Sequence, residues 1–178
     1  VAAAGFGTAG RFVENALETE RDMLAVNCDA VLWLSHAFGR RFAARGRGGL
    51  ILFGSLVGFQ GVPFSAHYAA TKAYVQSLAE GLHHELHPAG VDVLSAAPGP
   101  VLSGFGARAS MNMGQALTPE QVGVPILKAL GRRMTVLPGW LTKFLVYSLH
   151  LLPRSGRVRV MQAIMQGMQA PKQSVQKN

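Results

Sequence analysis

Apolar residues in this chain fall into short unbroken runs, separated by longer stretches in which they recur every three or four positions. Leu50-Ile51-Leu52-Phe53 is wholly apolar, as a parallel strand covered on both faces requires. Val91-Asp92-Val93-Leu94 and Met134-Thr135-Val136-Leu137 read as further strands, and Val1-Ala2-Ala3-Ala4 as the end of another. Helical periods lie between them. One helix starts near Thr19, a suitable N-cap, with Glu20 and Asp22 in its first turn. Leu24, Val31, Leu34 and Phe38 keep its period, Arg40, Arg41 and Arg45 suit its C-terminal end, and Gly46, Gly48 and Gly49 stop it. A second helix covers about Ala66 to His87, closed by Pro88 and Gly90. A loop rich in Ser, Gly and Met follows Pro98-Gly99-Pro100 and lasts to about Leu117. Thr118-Pro119-Glu120-Gln121 then offers a cap, an N1 proline and a capping-box glutamine. Two more helical stretches are predicted near 140–152 and 155–169.

Strands alternating with helices imply right-handed parallel crossovers and an α/β, doubly wound parallel sheet. Such a fold is built from two βαβαβ halves, and this chain holds about one half plus a helical extension.

Composition narrows the class. The 178 residues are 49% hydrophobic and 15% charged, which fits one packed domain and excludes a largely disordered chain. Cys28 is the single cysteine, so an internal disulfide framework and a cysteine-based zinc finger are excluded, and a reducing cytoplasm is the expected setting. No run approaches the roughly 18 apolar residues of a membrane span. The net charge of +8 raises the question of nucleic acid. Up to Glu120 there are eight basic and nine acidic residues, and beyond it nine basic and none acidic. The basicity therefore sits in the last third, in Arg154, Arg157 and Arg159 and in a tail with Lys172 and Lys177. That distribution reads as a solvated basic end; no nucleic-acid partner is expected.

Four patterns are candidates for chemistry. Gly5-Phe6-Gly7-Thr8-Ala9-Gly10 has the G-x-G-x-x-G spacing, with Asp29 as a candidate ribose-binding acid, but Asp29 falls in a helical period; a plain loop is the simpler reading. His83-His84-Glu85-Leu86-His87 misses the H-E-x-x-H spacing by one residue, and histidines suit a helix C-terminus, so no metal site is expected. Gly54-Ser55-Leu56 lacks the second half of a nucleophile elbow. Tyr68-Ala69-Ala70-Thr71-Lys72 is the stronger pattern. Tyr68 and Lys72 stand one helical turn apart on one face, where an ammonium can lower a phenol's pKa from its usual value near 10. Ser55 follows an apolar strand at its C-terminal end, where open α/β sheets place their ligands.

Taken together, these residues resemble the short-chain dehydrogenase/reductase family over about residues 1–139. Ser55, Tyr68 and Lys72 match its catalytic serine, tyrosine and lysine in order and spacing, and Asn27 its helix asparagine, which supports a water leading to the lysine. Pro98-Gly99-Pro100-Val101 matches the segment lying against the nicotinamide. The family's Asn-Asn-Ala-Gly is here Ala2-Ala3-Ala4-Gly5, so two bracing side chains are absent. The family's glycine-rich pyrophosphate turn would lie upstream of Val1, so the chain is expected to be the C-terminal two-thirds of a Rossmann-type domain. Residues 1–139 would belong to the catalytic domain and 140–178 to a helical basic extension with a polar tail.

The resemblance implies hydride transfer between NAD or NADP and a carbonyl or alcohol. Tyr68 would move the proton, Lys72 would tune Tyr68 and bind ribose, Ser55 would polarise the substrate oxygen, and Asn27 would serve the relay. Gly5, Tyr68, Lys72, Pro98, Gly99 and Val101 would contact the cofactor. A small-molecule substrate, lipid-like or acyl, a homo-oligomer and a cytoplasmic location with peripheral membrane contact are the accompanying expectations. The membrane contact is motivated by the apolar run from Trp140 to Leu152 and the arginines after it. Two alternatives stand beside this reading: a non-catalytic interaction protein of the same fold, and a small binding module using Gly5 to Gly10.

Overall fold

The long N-terminal helical stretch begins at Leu17 and continues to Arg45. The structure, a computed structural model, describes residues 1–109 and 111–168; Lys172 and Lys177 lie outside them. Helices α1 (Leu17–Leu24) and α2 (Ala30–Arg45) are joined without a break by a π-type turn over Ala25–Asp29. The start precedes the predicted Thr19 cap. Ala16 occupies the cap position and contributes no side-chain bond. Glu20 is buried in the first turn instead, accepting from Thr8 Oγ1 and from Asn15 Nδ2, each at 2.8 Å. The loop before the helix is thus tied down by a long-range carboxylate contact rather than by a local cap. Gly46 ends α2 in the left-handed region, as its position predicts.

The sheet is parallel. Strand β1 (Gly48–Phe53) pairs with β2 (Val91–Ala96) from Gly48–Val91 to Phe53–Ala96, and β3 (Thr135–Val136) pairs with β2 beyond it. Between β1 and β2 runs α3 (Ala66–Leu86), and between β2 and β3 runs α5 (Pro119–Ala129), which has the predicted capping box at Thr118 and Gln121. Two predicted strands are shorter than expected. The N-terminal one is a single parallel bridge, in which Ala2 donates to Ile51 O and accepts from Phe53 N–H, before the chain leaves toward Asn27. The last is cut to two residues because Pro138 has no N–H to extend the ladder. The loop after β2 is not bare: it holds a short helix, α4 (Phe105–Arg108), and is pinched by a bridge between Val101 and Leu117.

Alternate residues of the strands enter separate cores. Leu50, Leu52 and Val93 pack with Val31 of α2 and with Val75 and Ala79 of α3. Ile51, Leu94 and Ala96 pack with Val122, Ile126 and Ala129 of α5 on the opposite face. Helices on both faces of a parallel sheet make this a partial doubly wound, Rossmann-type fold. A third core caps the C-terminal edge of the strands. There Phe6, Leu56, Tyr68, Ala97 and Leu137 meet Val146 and Leu149 of α6 (Trp140–His150) and Met161 and Met165 of α7 (Arg154–Met168). No helix among the described residues is long and apolar enough to cross a membrane.

Gly90 links α3 to β2 with φ at +73°, and a Cβ there would run into the carbonyl of Gly46. A left-handed L-residue costs about 1–2 kcal/mol before any clash. Gly90→Ala should therefore lower the unfolding free energy by roughly 2 kcal/mol or more in urea denaturation. Gly123→Ala, inside α5 and facing open space, should match or exceed wild type. Equal midpoints for wild type and the Gly90 variant would remove this turn as a constraint.

Candidate active site

The C-terminal ends of β1 and β2 open into a cleft of about 1000 Å3. Ser55 stands two residues past the end of β1, with extended backbone and its Oγ accepting from Val57 N–H at 3.4 Å. Tyr68 and Lys72 reach the same cleft from the first turns of α3. That end of the helix is fixed from the other side by Ser65, whose Oγ donates to Thr8 O at 3.0 Å. Gly5, Pro98, Gly99 and Val101 also line the cleft, so the residues expected to touch a cofactor share one wall with the Ser-Tyr-Lys set.

Lys72 is only 6% exposed, and its Nζ donates to the carbonyl of Phe53 at 2.8 Å. Burial lowers its pKa from 10.5 to about 8. Tyr68 is 9% exposed, with the Lys72 Nζ 5.8 Å from its ring centroid. Its pKa moves opposite to the sequence expectation, up to about 12, because loss of water around the phenol outweighs the hydrogen bond from Ser55. Phe105 contributes to that loss: its ring lies 5.3 Å from the Tyr68 ring, tilted by 46°. At neutral pH the site therefore holds a neutral phenol beside an ammonium. That pair is set to donate a proton to an oxygen placed between Tyr68 and Ser55.

Asn27 is fully buried behind this wall and does not line the cleft. Its Oδ1 accepts from Phe6 N–H at 3.1 Å, and its Nδ2 donates to Phe6 O at 2.9 Å and Thr71 Oγ1 at 3.0 Å. All of these bonds brace the loop after Ala2 against α3. Gly5 sits between the two machineries: a Cβ on it would lie 3.0 Å from Asn27 Oδ1 and 3.3 Å from Lys72 Nζ. The π-type turn at Ala25–Asp29 is what swings Asn27 to this position.

The glycine pattern lacks the structural setting of a dinucleotide fingerprint. Gly5 to Gly10 leads into a three-residue turn, Phe12–Glu14, rather than a helix N-terminus, and Asp29 is exposed on a helix instead of ending a strand. The His83–His87 cluster lies at the end of α3, with His83 Nδ1 2.8 Å from Val93 O and its ring stacked on His87. Among the described residues no three His, Cys, Asp or Glu side chains converge as metal ligands.

Sequence reasoning missed the methionine lining of the cleft. Five of the seven methionines (Met111, Met113, Met161, Met165 and Met168) line the cleft, together with Ile164 and Leu145. The spacing 161, 165, 168 on one helical face was the available signal. Arg108 is a further lining residue that was missed; its guanidinium sits 4.0 Å from the Phe6 ring. Lys72 and Arg108 are cations, and among the described residues no carboxylate lines the cleft.

Comparison with known proteins bears on this arrangement. Residues 1–113 match the short chain dehydrogenase family. A 7beta-hydroxysteroid dehydrogenase of Clostridium sardiniense is 32% identical over 125 residues, 68% of this chain and 48% of the relative. The galactitol 2-dehydrogenase (L-tagatose-forming) of Cereibacter sphaeroides is 39% identical over 95 residues, 50% of this chain and 37% of the relative. The chain thus spans about half the length, or less, of these curated relatives. A solved 7beta-hydroxysteroid dehydrogenase structure superposes with a TM-score of 0.80 at 26% identity, covering 90% of this chain and 65% of the other. A Beutenbergia cavernae structure with NADP at low occupancy gives a TM-score of 0.67 at 32% identity, covering 79% and 64%.

The buried lysine has a measurable signature. Between about pH 8 and 10.5 the unfolded chain keeps a Lys72 proton that the folded chain has released, so stability from this group rises with pH there. Cys28, raised by burial, acts in the opposite sense. Cys28 and Lys72 are electrostatically coupled, so Cys28→Ala is added to both wild type and a Lys72→Met variant, and the difference between the two proteins then isolates Lys72. That difference, wild type minus variant, should grow in favour of wild type by up to about 1.4 kcal/mol per pH unit in urea titrations. Parallel pH–stability curves would contradict the burial of the amine.

Proposed function

The chain belongs to the short chain dehydrogenase family, and from that premise we propose that it works as an NAD(P)-dependent oxidoreductase interconverting a carbonyl and an alcohol. The observation that carries the reading is the convergence of Ser55, Tyr68 and Lys72 on one wall of a cleft at the C-terminal edge of a parallel sheet. The residues present fit a nicotinamide nucleotide. Gly5 leaves open backbone beside the Lys72 ammonium, and the cleft offers cations without a carboxylate to repel phosphate. When bound, the nicotinamide supplies or accepts the hydride.

This chain's own residues handle the oxygen. Ser55 Oγ donates a hydrogen bond to the substrate carbonyl oxygen and fixes it next to the Tyr68 hydroxyl. As negative charge develops on that oxygen, the Tyr68 phenol transfers its proton there. Lys72 stabilises the resulting phenolate electrostatically and holds ribose hydroxyls, with its ammonium aimed by the Phe53 carbonyl. In the reverse direction the phenolate takes the alcohol proton. Asn27 is a positioning residue, acting through Phe6 and Thr71 on the helix that presents Tyr68. Pro98, Gly99 and Val101, which line the cleft, would hold the nicotinamide ring.

The substrate is lipid-like. The names of the two curated relatives point to a steroid and to a sugar alcohol, and the methionine wall supports the former kind of substrate. A polyol would bury hydroxyls against thioethers and methylenes with few partners, which is costly, whereas an apolar skeleton fills that wall with dispersion contacts. The helical extension from residue 140 supplies much of this wall. A lipid-like substrate arrives from a membrane surface, so peripheral membrane contact by a cytoplasmic protein is part of the reading. A homo-oligomer is part of it too, supported by exposed Leu32, Trp33 and Tyr74 on α2 and α3.

Tyr68→Phe removes only the hydroxyl. It should leave the fold and the melting temperature close to wild type, while kcat for ketone reduction falls by roughly 100-fold or more. Steady-state nicotinamide absorbance with a panel of steroid and acyl ketones would read this. Turnover by the Phe variant at the wild-type rate would remove Tyr68 as the proton donor, whereas no turnover by the wild type would move the chain to the non-catalytic alternative.

A further inference from the structure

Helix α6 leaves one side uncovered. Within it only Thr142, Val146 and Leu149 are buried. Trp140, Phe144 and Tyr147, with Leu151 just past its end, are 77%, 65%, 65% and 86% exposed. At 3.6 residues per turn these four positions share an arc of roughly 60°, opposite the buried stripe. Three aromatic rings and a leucine in one solvent-facing strip are far more apolar surface than a free helix needs to show.

What borders the strip says what covers it. Lys143 and His150 are exposed along one edge, and Arg154 and Arg159 are exposed on α7, directly after the elbow. Arg157 donates to Leu152 O at 2.9 Å and His150 O at 3.1 Å, which fixes that elbow. No acidic residue occurs anywhere after Glu120. Along the other edge, Trp140, Leu141 and Leu145 line the cleft itself. The strip is therefore the outer face of α6, and it meets the rim of the cleft at Trp140 alone.

We propose that this face of α6 docks on an anionic lipid bilayer and sets the mouth of the cleft against the lipid surface. The inference deepens the lipid-substrate reading above and rests on it for its purpose. Tryptophan and tyrosine favour the headgroup region, the leucine and phenylalanine enter the acyl boundary, and the flanking cations meet anionic headgroups. A protein partner would need a matching acidic groove. A bilayer needs only the aromatic strip and the basic border.

The test uses the full 178-residue chain carrying Trp33→Phe, which leaves Trp140 as the one tryptophan. Titration with phosphatidylcholine vesicles containing about one third phosphatidylserine, at low salt, should shift Trp140 emission to the blue and make it quenchable by brominated lipid. Pure phosphatidylcholine should bind much more weakly. Phe144→Ser combined with Tyr147→Ser should raise the apparent Kd roughly tenfold or more, with an unchanged urea midpoint. Lys143→Glu with Arg159→Glu should erase the preference for anionic vesicles. No emission shift at low salt overturns the proposal. So does a shift that needs no vesicles and grows with protein concentration, which would assign the face to a second copy of the chain. The two readings fail separately. Tyr68→Phe should bind vesicles like the parent, and the Phe144/Tyr147 variant should reduce a water-soluble ketone at the parental rate.

Discussion

An amine buried at the edge of a sheet must find an acceptor, and Lys72 finds it in the carbonyl of Phe53 at 2.8 Å. Much of the site depends on that contact. It requires β1 to end where it does, with its last carbonyl free of a ladder partner on that side, and it sets the rotation of α3 above the strand. The same rotation carries Tyr68, one turn earlier, into the cleft, and Thr71 toward Asn27. Asn27 closes the arrangement by holding Phe6 through both its N–H and its carbonyl. Four backbone segments (β1, α3, the π-type turn and the loop at Gly5) are thus locked to one another around one ammonium.

The cost of that arrangement appears in the titration of its members. Burial drives Lys72 down to about 8 and Tyr68 up to about 12, so each tends toward its neutral form. A lysine held near 8 still carries its proton at neutral pH, and the phenol beside it carries one too. In the proposed reading this makes the resting site a proton donor. Moving it to the proton-accepting state requires charge to be supplied to the cleft or the pH to rise. Ser55, which pulls Tyr68 back toward ionisation through its hydrogen bond, is the group able to transmit the arrival of a substrate oxygen.

The cleft has two unlike walls, and they come from different physics. The Ser-Tyr-Lys wall is built on rigid elements, a strand end and a long helix, whose positions follow from the sheet. The methionine wall is built on the segment after α4 and on α6 and α7, and these two helices pack on the third core through Val146, Leu149, Met161 and Met165. Thioether side chains adapt to irregular apolar shapes, so this wall accommodates bulk rather than a fixed hydrogen-bond pattern. Helix α6 belongs to both the wall and the surface, since its buried stripe, its cleft edge and its exposed aromatic face divide one short helix three ways.

The sequence by itself determined the parallel sheet, the helices on both faces and the ends of most elements. These rest on short-range patterns: the apolar run 50–53, the capping box at Thr118, and the glycines at 46 and 90. It also put Ser55 at a strand end and Tyr68 and Lys72 one helical turn apart, because both are local geometry, whereas their meeting in one cleft is tertiary. Tertiary structure decided what depends on contacts distant in the chain. Glu20, reaching Thr8 and Asn15, moved the start of the first helix away from Thr19. Gly5 to Gly10 became a braced loop because Asn27 holds Phe6, a bond across 21 residues that no local spacing announces. Tyr68 was expected to ionise more easily beside an ammonium. It does the reverse, because Phe105 and the surrounding core remove its water, and desolvation is a property of the assembled cleft rather than of a Tyr-x-x-x-Lys spacing.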